Sequence, residues 1–310
     1  MAIAHGEAGN VLRLIKPRAE ALKWDTQDET KLRSLNPAAS EDCYWLGDGG
    51  AIQQITFGAD TDGSTSWLAV LKAESITILR PIYCQVQTPS MLSVDSGMRF
   101  PPSRLNPNPI LSLGNESIGG SYYADVSFNP WYIRQFAVID QHGYWSVWDI
   151  EGQKRKRTTF KAKPGKSGHV RDDLSSGQGL KAPDIADGWG QVLWAGGVST
   201  LMLCDRRNLA VFDLKAAPKR LNSPQVVHPR SIDWILDMKR SPVNLNHVFI
   251  LTTRQIFWLQ ISEAGEDQGD QFGYAGATIL LSCQHFRNQE DETAKLDLLG
   301  ENEGIIVFLA

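Results

Sequence analysis

The 310-residue sequence predicts an all-β chain: a β-propeller, expected to be incomplete, of about four blades plus a fragment with long inter-strand insertions. Three observations predict it. Short apolar runs recur in the order strand, loop, strand, tight turn, strand. The third strands of successive units align with one another. The runs are nearly continuous in apolar residues, which suits sheets covered on both faces and disfavours the alternating strands of a β-sandwich. A four-stranded sheet cannot bury two apolar faces alone, whereas packing each blade on its neighbours and closing the ring does so.

In chain order, residues 1–50 read as an irregular N-terminal segment with a first strand at 11–15. Residues 16–39 are polar and contain Pro17 and Pro37, so a long surface loop is expected there. The propeller is assigned to residues 51–310. Strands are expected at 52–57, 67–71 and 76–79, with a turn at 72–75. Residues 85–120 are rich in Pro, Ser, Asn and Gly without a period, which marks an insertion or long loop. Residues 122–150 form the clearest blade. Its strands 124–128, 136–139 and 144–150 are separated by Asn129-Pro130-Trp131 and by Asp140-Gln141-His142-Gly143, and both breaks are turn chemistry. A fourth, outer strand is placed at 158–162. Two more meanders follow at 191–194, 201–204 and 209–214, then at 233–238, 247–251 and 256–261. Residues 278–282, 296–299 and 304–310 read as further strands. The last resembles a second strand with no third after it, so the chain is expected to stop mid-blade.

The third strands are Ile76-Thr77-Ile78-Leu79, Trp145-Ser146-Val147-Trp148, Leu209-Ala210-Val211-Phe212 and Ile256-Phe257-Trp258-Leu259. From Ile76 to Trp145 is 69 residues, from Trp145 to Leu209 is 64, and from Leu209 to Ile256 is 47. WD-type blades repeat at about 40–45 residues, and the excess falls in the insertions. Asp140 and Asp205 open two of the turns. Trp148-Asp149 and Phe212-Asp213 end two of the third strands, in the manner of a Trp-Asp dipeptide closing a WD40-like blade. Trp131, Asp140, Trp145, Trp148, Asp149, Asp205 and Asp213 are therefore assigned blade-structural roles.

No enzyme signature survives inspection, and no catalytic, metal or cofactor site is assigned. Gly165-Lys166-Ser167 resembles the end of a P-loop, but the required upstream Gly falls on Phe160. No G-x-S-x-G or H-E-x-x-H occurs. The six His are scattered, and His142 reads as a solvated turn residue. Cys43, Cys84, Cys204 and Cys283 form no C-x-x-C pair and read as small hydrophobes in a reducing compartment. The N-terminus lacks the apolar core of a signal peptide, and no apolar run approaches a membrane span.

The one marked charge feature is at 152–171, which holds eight basic residues and no acidic one. The remainder therefore carries −12 against a net charge of −4. Lys154, Arg155, Lys156 and Arg157 have three readings: a solvated turn, a nuclear localisation signal, or a contact to a phosphate backbone.

Residues Asp125-Val126-Ser127-Phe128-Asn129-Pro130-Trp131, Gln135–Asp140 and Gly143–Ile150 go beyond the generic repeat. They resemble the β-propeller of the large propeller subunit of the fungal RNA polymerase I core factor. That family is the counterpart of a TATA-binding-protein-associated component of the animal promoter selectivity factor. Gly47-Asp48-Gly49 with Ile52-Gln53-Gln54-Ile55 looks like the family's preceding blade, and Trp194-Ala195 and Asp205-Arg206-Arg207 also look familiar. The resemblance implies a non-catalytic scaffold in the nucleus and nucleolus. It implies as partners the other core factor subunits, TATA-binding protein and RNA polymerase I, with contact to the ribosomal DNA promoter. The family carries a helical region and a tail after the propeller, neither of which is seen in this sequence, so a propeller fragment is expected. The competing reading is a generic WD-type protein-interaction adaptor in another nuclear complex.

Overall fold

The computed structural model describes residues 1–23, 31–48, 50–59, 66–88, 100–152, 160–171, 187–262, 275–301 and 304–309. The chain divides into two compact units. One is Met1–Phe57 with Gly63–Gly114, and the other is Gly58–Asp62 with Asn115–Ala310.

In the first unit, β1 (Ala2–His5), β2 (Val11–Lys23) and β3 (Lys31–Leu46) form a three-stranded antiparallel sheet in that order. The strand expected at 11–15 is present, and the described residues of the expected irregular segment and surface loop are strands over 2–5, 11–23 and 31–46. Leu12, Leu14, Cys43 and Trp45 supply a buried face. The register shifts between Lys16 and Arg18, at Pro17, and the partner strand passes from Glu41 to Asn36 across Pro37. Proline lacks an N–H for the ladder, so a register break absorbs it without ending the strand. The blade of this unit has the order β4 (Ile52–Ala59), β5 (Ser66–Lys72), β6 (Ser75–Leu79), β9 (Pro109–Gly114). A separate hairpin, β7 (Ile82–Thr88) with β8 (Ser103–Asn106), is inserted before β9. The stretch at 85–120 therefore contains an insertion and also the blade's outer strand.

The second unit holds three four-stranded antiparallel blades. They are β10 (Tyr123–Phe128), β11 (Gln135–Asp140), β12 (Tyr144–Glu151) and β13 (Lys161–His169); β14 (Gly190–Trp194), β15 (Thr200–Asp205), β16 (Leu209–Asp213) and β17 (Lys219–Arg220); and β18 (Ile235–Arg240), β19 (His247–Thr252), β20 (Gln255–Ser262) and β21 (Gly276–Gln284). A two-stranded sheet, β22 (Leu296–Glu301) with β23 (Gly304–Leu309), follows. The outer strand expected at 158–162 lies at 161–169 instead, paired to β12 across a bulge between Ser146 and Trp148.

The second strands are buried almost throughout, as strands covered on both faces must be. Within the second unit each blade shares an apolar cluster with the sheet that follows it. Ala137, Ile139, Trp145 and Val147 pack with Val192, Leu201, Leu203 and Phe212. Met202, Cys204 and Val211 pack with Ile235, Val248 and Ile250. Leu236, Phe249 and Leu251 pack with Leu296 and the half-buried Leu298 and Val307. Fully burying a side chain of this size contributes about 1.5–3 kcal/mol, so these shared clusters are what join one blade to the next.

Candidate interaction surface

The turns between second and third strands are built by their first residue. Asp140 is 1% exposed, and its Oδ1 accepts the N–H groups of His142 at 2.8 Å and Tyr144 at 2.9 Å. Gly143 closes the turn at φ +88°, a conformation that favours glycine. Asp205 repeats the device, accepting the N–H of Arg207 at 2.8 Å and of Asn208 at 2.7 Å through Oδ1. Its Oδ2 pairs with Arg171 at 3.0 Å, which ties the end of β13 to the next blade's turn. Asp205 is engaged through both oxygens, whereas Asp140 uses Oδ1 for the turn and keeps a buried Oδ2 without a hydrogen-bond partner among the described residues.

The other residues singled out from sequence also sit inside the blades. The Trp145 ring lies 5.1 Å from Phe212, and Trp148 donates from Nε1 to Ser146 Oγ at 2.8 Å. Asp149 accepts from Gln135 at 3.0 Å, and Asp213 accepts the Lys215 N–H at 2.9 Å. Trp131 packs against the cluster of the first two blades of this unit, with the Arg240 guanidinium 5.9 Å from its ring. Burial pulls the pKa of Arg240 down, and its Nη1 donates to Trp194 O at 2.7 Å. Lys154, Arg155, Lys156 and Arg157 lie outside the described residues.

Sequence reading missed a polar chain on the inner strands. Asp125, Gln191 and Asp237 each pair with the residue just before the turn, Ile139, Cys204 and Leu251. Asp125 is 7% exposed; it accepts Val126 N–H through Oδ1 and, from the next blade, Val192 N–H through Oδ2, each at 2.8 Å. Gln191 donates onward to Asp237 at 2.8 Å. Asp237 is 1% exposed; it also accepts Met238 N–H at 2.9 Å and Leu296 N–H at 2.9 Å. The available signal was positional. Asp125 precedes Asp140 by 15 residues, Gln191 precedes Asp205 by 14, and Asp237 precedes Thr252 by 15.

The His residues scattered in sequence also share local geometry. In His169-Val170-Arg171, His228-Pro229-Arg230 and His285-Phe286-Arg287 the Arg N–H donates to the His Nδ1 at 3.0, 3.2 and 3.1 Å. His169 and His285 then face turn carbonyls through Nε2, those of His142 and Thr252, each at 3.0 Å. Arg206 lies between two rings, 4.4 Å from Trp189 and 5.2 Å from Trp234, and bonds Asp187 at 2.7 Å.

Among the described residues no group of three or more His, Cys, Asp or Glu converges as a metal site. All four Cys are free thiols, and burial raises the pKa of Cys204 well above the ordinary thiol value. Among the described residues no helix is long and apolar enough to cross a membrane.

Four-stranded blades that share cores in the second unit and are tied by inner-strand carboxylates define a β-propeller fold. The family described as the Rrn6 β-propeller matches residues 1–310, and the chain belongs to that family. No curated protein matches the chain. Among solved structures, the chain is similar to the crystal structure of the S. cerevisiae core factor, with a TM-score of 0.59 and 14% identity over 99% of this chain and 42% of that one. It is also similar to the β-propeller domain of Myceliophteria thermophila Cps50 (Swd1), with a TM-score of 0.45 and 8% identity over 88% of this chain and 73% of that one. The chain therefore spans less than half the length of the core factor chain it matches.

Proposed function

We propose that this propeller belongs to a non-catalytic scaffold subunit of the RNA polymerase I core factor. The observation that carries this reading is the match of the Rrn6 β-propeller family along the whole chain. The polar interior supports it: Asp125, Asp205 and Asp237 are engaged by backbone N–H groups, an ion pair and bonds between blades. The partners are the other core factor subunits, TATA-binding protein and RNA polymerase I. The site of action is the ribosomal DNA promoter, in the nucleus and nucleolus. Rigid blades hold loops and outer edges for those partners during pre-initiation complex assembly. The chain is assigned residues 51–310 as propeller, with Trp131, Trp145, Trp148, Asp140, Asp149, Asp205 and Asp213 maintaining the blades. Lys154, Arg155, Lys156 and Arg157 act as a localisation signal or as an auxiliary contact to the DNA backbone.

Depleting the protein in cells tests this. The expected outcome is a nucleolar protein whose loss lowers ribosomal RNA precursor synthesis, with messenger RNA synthesis spared at early times. Normal precursor synthesis after depletion overturns it.

A further inference from the structure

In the second unit the loops that join first to second strands, residues 129–134, 195–199 and 241–246, lie at the end opposite the tight turns. Asn129 Nδ2 donates to Val198 O at 2.9 Å, and the Gly196 N–H donates to Leu245 O at 3.0 Å, so each loop is tied to the next. We propose that this end docks a protein segment that sets an Asp or Glu carboxylate against Arg240 and lays apolar side chains on the loop tips around it. Such a surface goes beyond core factor membership and stands independently of it.

Arg240 is half-buried at the end of β18, and its guanidinium meets both preceding blades. Nη1 donates to Trp194 O at 2.7 Å, and the Trp131 ring lies 5.9 Å away. A guanidinium carries five donors, yet no carboxylate meets this one among the described residues. Burying a cation is costly unless it is paired, and burial lowers the pKa of Arg240. A planar guanidinium already held in place is suited to take a carboxylate through two parallel hydrogen bonds.

The loop tips supply the apolar part. Tyr132, Val198, Val243 and Leu245 stand on these three loops, and all four are exposed. Apolar side chains around a Trp and an Arg have the composition of an interaction hot spot. The loops are fixed beforehand. Asn129 Oδ1 accepts the Trp131 N–H at 3.0 Å, and Ser241 Oγ accepts those of Val243 at 3.1 Å and Asn244 at 3.0 Å. A surface ordered before binding loses less conformational freedom on docking.

Charge selects the occupant. Residues 129–134, 195–199 and 241–246 hold no acidic side chain. Arg134 adds a second cation and donates to Gly152 O at 3.1 Å. Asp149 and Asp213 stand opposite Gln135 and Thr200, at the borders of these loops. Each is engaged, Asp149 by Gln135 Nε2 and Asp213 by the Lys215 N–H. A pair made at contact range with a half-buried guanidinium is screened little and does not rest on the net charge of the unit. A nucleic-acid backbone fits less well, because it is held by many spaced cations and finds no partner in the aliphatic tips Val198, Val243 and Leu245.

The test selects a displayed random-peptide library on the full chain and then measures the selected peptides, labelled, by fluorescence anisotropy. Saturable peptides that share an Asp or Glu flanked by apolar residues are expected. Arg240→Gln, or replacing the peptide's carboxylate by its amide, should each weaken binding roughly tenfold or more. Combining the two should weaken it little further, because both remove the same contact. Val198→Asp, at an exposed loop tip, should weaken binding as well, and it decides if Arg240→Gln does not fold. Absence of a saturable peptide, selected peptides without an acidic residue, indifference to these variants, displacement of the peptide by duplex DNA, or self-association of the chain that Val198→Asp abolishes overturns the proposal.

Discussion

Asp237 accepts hydrogen bonds from Met238, Gln191 and Leu296, so three strands depend on one buried carboxylate. Removing a buried acceptor leaves its donors unsatisfied, at about 1–3 kcal/mol for each group stranded away from water. Asp237→Ala should therefore lower stability by roughly 2–4 kcal/mol, read as a lower denaturant midpoint. Loss below 0.5 kcal/mol or so would show that the inner-strand chain is incidental. Titration gives a second expectation. Burial pushes the Cys43 thiol from 9.0 to about 12 and raises Cys204 and Tyr123 above their ordinary values. These groups ionise in the unfolded chain before they ionise in the folded one. Their contribution is full below the ordinary thiol range and is lost as pH rises above about 9. Lys72 acts with the opposite sign, because burial lowers its pKa; its contribution is lost as pH falls. Tyr44 is raised as well and Arg240 is lowered like Lys72, so four raised groups against two lowered predict a net alkaline decline. Cys204→Ala should shallow the decline between pH 9 and 11 or so, followed by thermal melts. An unchanged slope would remove the thiol from the explanation.

At the level of strands and turns, Gly276 begins β21 at φ +125°, where an added Cβ would collide with the Asn222 backbone. Asn222 and Gly276 form the bridge between the outer edge of one blade and the next blade's outer strand. Gly276→Ala should cost about 1–3 kcal/mol of local strain and expose the Ala277 N–H, which donates to Asn222 O at 2.9 Å, to faster hydrogen exchange. Unchanged protection there would mean that the bridge tolerates the side chain. Elements of this kind divide into those the sequence announces and those it hides. Residues 136–139 and 201–204 were legible because strands buried on both faces must be continuously apolar. The Asp140 and Asp205 turns were legible because Asp orders its own backbone. β2 and β3 were hidden because Pro17 and Pro37 read as breakers, whereas a register shift accommodates them. β13 was displaced because Lys, Gly and Pro carry no strand signal on a solvated edge. Asp125 and Asp237 were passed over because their partners lie in another blade, 67 and 59 residues away, a distance at which local pattern says nothing.

Across the second unit, the buried Asp125 and Asp237 tie neighbouring sheets together through backbone N–H groups. The shared clusters between successive blades in the second unit give a body that need not reshape to bind. Partners of such a scaffold should engage it with little change in its amide exchange beyond the contacted edges. The most direct measurement is affinity purification of the native protein from cells, with mass spectrometry of what remains bound at moderate salt. Co-purification of core factor subunits with TATA-binding protein or RNA polymerase I is the result predicted here. A stable complex that contains none of them would contradict the assignment and leave a propeller adaptor of another assembly.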